Sequence, residues 1–177
     1  LLYKVSTGAG NTTTPSGLSK ISAFADNFNN DNTALFVYGG DLLGNIWRFD
    51  MSVDPPVAFN LAQLKDSGGK PQSITSRPEL GLVEGKRVVF VGTGRYYGVD
   101  DLVDPATIPL PWAYQQSFYA IKDEFPQGAP SGYGNVRSLT LPAGLIAQTL
   151  IDNGTTRTTS NNTVNWTNNV GWYVDFN

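Results

Sequence analysis

Three groups of residues have types and spacings that could do chemistry. Asp100, Asp101 and Asp104 form an acidic cluster. Paired carboxylates can act as acid and base, but only at a set separation across a cleft. The plainer reading is a solvated acidic loop. Gly92-Thr93-Gly94 carries the glycines of a phosphate loop, which needs a following helix whose N-terminus meets the phosphate. Arg95-Tyr96-Tyr97-Gly98 is no helix start, so the run reads as the turn that ends a strand. The aromatics Trp47, Phe49, Trp112, Tyr114, Tyr119, Trp166 and Trp172 could line a glycan or peptide surface, although aromatics in strands more often fill a core. Trp112 and Tyr114 stand beside prolines in an irregular insertion, which makes them the surface candidates for partner binding. The chain has no His and no Cys. That excludes zinc sites built on those residues, cysteine nucleophiles, disulfides and Ser-His-Asp triads.

The elements that position these residues read as strands. The centre is residues 35–50, LFVYGGDLLGNIWRFD, in which two aromatic and β-branched runs are split by Gly and Asp. Gly-Asp and Gly-Asn accept turn dihedrals that β-branched residues resist, so an antiparallel pair is expected. Of the 177 residues, 40% are hydrophobic, enough for a core, and only 15% are charged. The formal net charge of −3 argues against a broad nucleic-acid footprint. No run reaches the length of a membrane helix. Leu1-Leu2-Tyr3 reads as mid-strand rather than a leader, so an excised piece is expected.

Further strands are expected at 1–6, 18–25, 57–64, 74–83, 87–91, 116–123, 136–141, 145–151, 155–160 and 171–176. Pro78 marks an edge or a bulge, and the apolar run 87–91 suits burial on both faces. Residues 96–114, with Pro105, Pro109 and Pro111, form the irregular insertion. A repeat emerges: Val37-Tyr38-Gly39-Gly40 is echoed by Phe90-Val91-Gly92-Thr93, and Trp47-Arg48-Phe49-Asp50 by Ala120-Ile121-Lys122-Asp123. Repeats of about 40–50 residues, each with about four strands, point to β-propeller blades. A β-sandwich also supplies many short strands, but without a repeated strand–Gly–strand–Asp unit. The expected fold is all-β, with propeller-like four-stranded antiparallel blades in an incomplete arc of about two to three. The blade regions are placed at 18–66 and 73–141, with partial blades in the remainder.

The ordered set VYGGDLLGNIWRFD, QSITSRPEL, VVFVGTGRYYG and QSFYAIKD, with TPSGLSKISAF before it and GWYVDF after it, resembles the C-terminal propeller domain of the PilY/PilC type IV pilus biogenesis proteins. The resemblance covers nearly the whole chain. It implies a quinoprotein-like propeller in a secreted or cell-surface protein of a Gram-negative bacterium. The implied function is a non-enzymatic module for pilus assembly and adhesion, supporting extension against retraction and so twitching motility. The implied partners are pilins or other pilus components and a host-surface receptor, with no nucleic acid and no membrane insertion of this segment. No cofactor is expected, with calcium the one exception to weigh. In some members the loop before the matching strand binds calcium through alternate Asp and Asn ligands. Carried over, those positions are Asn27, Asn29 and Asp31, with Thr33 offering a carbonyl and Leu35 at the closing position. Calcium takes about 6–8 oxygens and weakens as charged ligands are lost. With Asp31 the single matched acid, the loop is expected to be an Asx-rich turn that has lost tight calcium binding. Two other readings stand beside this one. A quinoprotein-like oxidoreductase would hold pyrroloquinoline quinone and a metal over the propeller axis, for which no ligand set is visible. A structural spacer would bind nothing.

Overall fold

The computed structural model describes residues 3–25, 29–102 and 115–176. The expected surface residues Trp112 and Tyr114, and Asn27 of the calcium loop, lie outside them. Sheet 1 is an antiparallel meander of β1 (Ile21–Phe24), β2 (Phe36–Gly40), β3 (Asn45–Asp50) and β4 (Val57–Gln63), in that order. Its side chains alternate as a period of two requires. Phe36, Tyr38, Ile46 and Phe59 are buried on the inner face. The central hairpin forms where Gly and Asp interrupt the apolar runs, with Gly39 opposite Trp47.

Sheet 2 contains β5 (Glu79–Val83), β6 (Lys86–Gly92), β7 (Ser117–Asp123), β8 (Leu145–Gln148) and β11 (Gly171–Asp175), ordered β5-β6-β7-β11-β8. Strand β11 is antiparallel to β7 and parallel to β8. A separate two-stranded ribbon pairs β9 (Leu150–Asp152) with β10 (Arg157–Thr159). Pro78 directly precedes β5, an edge strand, where a missing N–H donor is tolerated. Strand β6 is buried on both faces: Val89 and Val91 join the main core, and Val88 joins a second cluster with Ala120 and Trp166.

Two expected strands are corrected. Residues 3–6 form no strand, and Val5, Thr7 and Ala9 are half-buried between exposed neighbours. The N-terminal segment is tied by Tyr3 donating to Asp54, beyond β3, and by the Ser16 carbonyl accepting from Leu42 N–H, in the turn of the central hairpin, at 2.6 Å. It alternates without joining a sheet ladder. Residues 136–141 hold a short 3-10 helix, Val136–Ser138, whose N-terminus is capped by Asn135 accepting from Arg137 N–H at 3.1 Å. The place beside β7 goes instead to β11, so the unit expected at 73–141 draws two strands from beyond residue 141.

The sheets pack face to face. Tyr38, Ile46 and Phe59 meet Val89, Val91, Tyr119 and Ile121 in one core. At one margin β1 and β5 adjoin, with Ser22 Oγ donating to the Pro78 carbonyl at 2.5 Å. Burying such large apolar side chains stabilises by about 1.5–3 kcal/mol each. The result is an all-β, propeller-like stack of a four-stranded antiparallel sheet and a five-stranded sheet that is antiparallel except where β8 joins β11 in parallel, and the described sheets do not close into a ring.

Candidate functional site

The densest polar chemistry lies between the sheets. Arg48 projects from the inner face of β3 and is fully buried, as are Asp50 and Asp123. Its Nη1 donates to Asp123 Oδ1 at 2.9 Å, to Oδ2 at 3.1 Å and to the Phe125 carbonyl at 3.0 Å. Its Nη2 donates to the Pro126 carbonyl at 2.9 Å and stands 3.8 Å from Asp50 Oδ2. The guanidinium lies over the Phe36 and Phe59 rings at 4.9 and 4.4 Å. Tyr38 completes the group by donating to Asp123 Oδ2 at 2.6 Å. Burial, and then the neighbouring Asp123 charge, pushes the Tyr38 hydroxyl far above the ordinary phenol range. It therefore remains a neutral donor. Burial alone would raise Asp50, but hydrogen bonds from Ser52 and Gly128 and the Arg48 charge bring it below the usual carboxylate value.

This arrangement holds the two sheets together. Asp123 accepts on both oxygens, from Arg48 on each and from Tyr38 on Oδ2. The lock ties β3 of one sheet to β7 of the other. It also seats the segment that leaves β7, through the Phe125 and Pro126 carbonyls.

A second cluster sets the central turn. Asp41 Oδ1 accepts from the N–H groups of Leu43 and Asn45, both at 2.9 Å. Its Oδ2 accepts from Asn45 Nδ2 at 2.9 Å and Trp47 Nε1 at 2.8 Å. Gly44 takes the positive φ of 77° that the turn needs. A third network joins Gln72, Tyr119, Ser117, Asp175 and Arg137. Tyr119 donates to Gln72 Oε1 at 2.6 Å, and Arg137 Nη2 pairs with Asp175 at 2.8 Å. Burial pushes the Tyr119 hydroxyl up to about 12.

The expected site residues fare differently. Asp31 Oδ1 accepts from the Thr33 hydroxyl at 2.6 Å and its N–H at 2.8 Å, an Asx turn that holds the exposed carboxyl below its usual range. Asn29 is exposed, and Leu35 at the closing position packs against the core. The described donors do not fit a calcium cage: one carboxylate is committed to a turn, and the closing position is hydrocarbon. Among the described residues no three acidic side chains gather as metal ligands. Gly92 ends β6, and Thr93 and Gly94 run on from it, donating to the Ser117 and Ser73 carbonyls at 2.9 and 2.7 Å with Gly94 bridging Ile74 in parallel, so the expected turn is instead an extended continuation of the strand, and no phosphate loop forms. Asp101 pairs with Arg95 at 3.2 Å and accepts from Tyr97 N–H at 2.7 Å. Asp104 lies outside the described residues. Trp47, Tyr119 and Trp166 are buried, while Trp172 is half-buried against Phe118 at 5.8 Å between ring centroids. Reasoning from sequence missed the Arg48–Asp123 pair. Its signal was the Asp that closes both repeated strands.

Comparison with known proteins places this geometry. The family model described as the PilY1 beta-propeller domain matches residues 2–163. The chain is similar to the type IV pilus biogenesis factor PilY1 of Pseudomonas aeruginosa PAO1, 32% identical over 94% of this chain and 17% of the relative. It is also similar to the PilY1 homolog of Xylella fastidiosa Temecula1, 30% identical over 78% of this chain and 10% of the relative. The chain thus spans under a fifth of the length of these curated relatives. The crystal structure of the Pseudomonas aeruginosa PilY1 C-terminal domain superposes with a TM-score of 0.71 at 28% identity, covering 95% of this chain and 40% of that one. By the span of the family match and by the fold on which its motifs sit, the chain belongs to the PilY1 beta-propeller domain family.

Proposed function

We propose that this chain is a non-enzymatic propeller module of a type IV pilus biogenesis factor, working at the cell surface in pilus assembly and adhesion. The observation that carries the reading is family membership across nearly the whole chain, with relatives named as pilus biogenesis factors. The geometry is in keeping with it: the buried ionisable groups between the sheets are spent on holding the sheets together. On this reading the module contacts pilins or other pilus components, and Trp112 and Tyr114 are its candidate contact residues. Deleting the segment that encodes the chain from its bacterium should reduce surface pili and twitching motility. Restoring the chain with Trp112→Ala and Tyr114→Ala together should restore less than the native sequence does. Normal piliation and motility in the deletion strain would overturn the proposal.

A further inference from the structure

The outer edge of sheet 1 is paired over only half its length. Strand β4 is the last strand of that sheet. The segment 124–135 leaves β7 of sheet 2, passes the Arg48 lock and comes alongside β4. There Tyr133 N–H donates to the Leu61 carbonyl at 2.8 Å, Gln63 N–H donates to the Gly134 carbonyl at 2.7 Å, and Gln63 bridges Asn135 in parallel. Gly132 permits the approach, since a Cβ at that position would stand 2.3 Å from the Asn60 and Leu61 carbonyl oxygens. Towards the N-terminal end of β4 the two chains part. A cleft of about 730 Å³ opens between them, with Val57, Ala58 and Asn60 on one wall and Ala129, Pro130 and Ser131 on the other. Residues 57–60 have no strand on this side among the described residues.

We propose that this cleft takes an extended, uncharged peptide segment of another polypeptide, which adds as a strand to residues 57–60. A strand edge presents a row of main-chain donors and acceptors that a guest backbone can pair with, and neighbouring pockets then select side chains. The connecting segment already shows a parallel partner seated on the adjoining stretch of the same edge. The lining contains no Asp, Glu, Lys or Arg, and its polar groups are amides and hydroxyls. A charged guest side chain would lose water there without gaining an ion partner. The cleft therefore selects for neutral, slender strands. This inference does not rest on the pilus reading and survives its failure.

The test uses the full 177-residue chain and a fluorescent, end-blocked peptide of alternating Thr and Val, followed by anisotropy and by amide hydrogen exchange. The expected result is saturable binding with protection gained at residues 57–60. Binding should weaken about tenfold or more with Ser131→Glu, and likewise with Ala129→Lys, which places the opposite charge in the same wall. A probe with proline at its central positions should also bind less, because it lacks the donors. Absence of saturable binding would overturn the proposal, as would equal binding of the proline probe or protection confined to other strands. Protection of residues 57–60 that grows with protein concentration alone would assign the edge to a second copy of the chain and overturn it too.

Discussion

At the scale of single residues, Arg48 decides the most. Its charge is buried against Asp123 and two aromatic rings, with two backbone carbonyls accepting from it. Breaking a buried pair costs more than the pair contributes, because the surviving charge is stranded. Arg48→Met is expected to destabilise by about 3–5 kcal/mol, measured as a fall in the urea midpoint. The double variant Arg48→Met with Asp123→Leu should recover part of that loss. A single-variant cost under about 1 kcal/mol, the value of an exposed pair, would show that the lock bears little weight. Asp31 makes the opposite case, being exposed and accepting from Thr33. Titration calorimetry should detect no calcium uptake in the micromolar range. An affinity in that range that disappears in Asp31→Ala would mean that the loop is a site after all.

At the scale of elements, the segment 124–135 binds the two sheets at their outer side. Its fit depends on Gly132, where any side chain meets the carbonyls of β4. Gly132→Ala should cost about 1–3 kcal/mol by overpacking. It should also speed amide exchange at Tyr133 and Gln63, whose N–H groups cross the contact. Unchanged exchange at both would show that the segment does not need this approach. The turn within the central hairpin was legible because Asp41 satisfies its own neighbours, a local pattern of Asp followed by Gly and Asn. The 136–141 stretch was not legible. Val136 is apolar enough for a strand, yet Asn135 caps a short helical turn and the ladder position belongs to β11.

For the whole molecule, the buried phenols and carboxylates set the pH range of stability. Burial raises the folded Tyr119 to about 12, and Tyr38 and Tyr133 shift in the same direction. An unfolded phenol ionises near ~10. Between those values the unfolded state releases protons that the folded state keeps, so stability falls as pH rises. It is fully present below the unfolded value and is lost through the folded one. Asp50 acts on the acid side. Its folded value is depressed, so its contribution is complete above the unfolded value of ~3.9 and is lost as pH falls through the folded one. Urea midpoints should be flat from about pH 5 to 9 and should drop on both sides. A midpoint that rises above about pH 10 would contradict the burial of these phenols.

The sequence alone determined what depends on neighbours along the chain. The strand spans at 36–40, 45–50, 57–63 and 86–92 follow from alternation and β-branched content, and their ends follow from Gly, Asp and Pro, because strand period and turn dihedrals are local properties. The lack of His and Cys settled which chemistries are closed to the chain. Tertiary structure alone decided which distant residues meet. Arg48 and Asp123 lie 75 positions apart, and β11 enters between β7 and β8 from far along the chain. Residues 3–6 alternate like a strand yet pair with none. These outcomes turn on which edge or face is left uncovered once the other strands have paired. That competition is settled by burial and by the hydrogen-bonding needs of distant backbone, for which no local run of residues carries a signal.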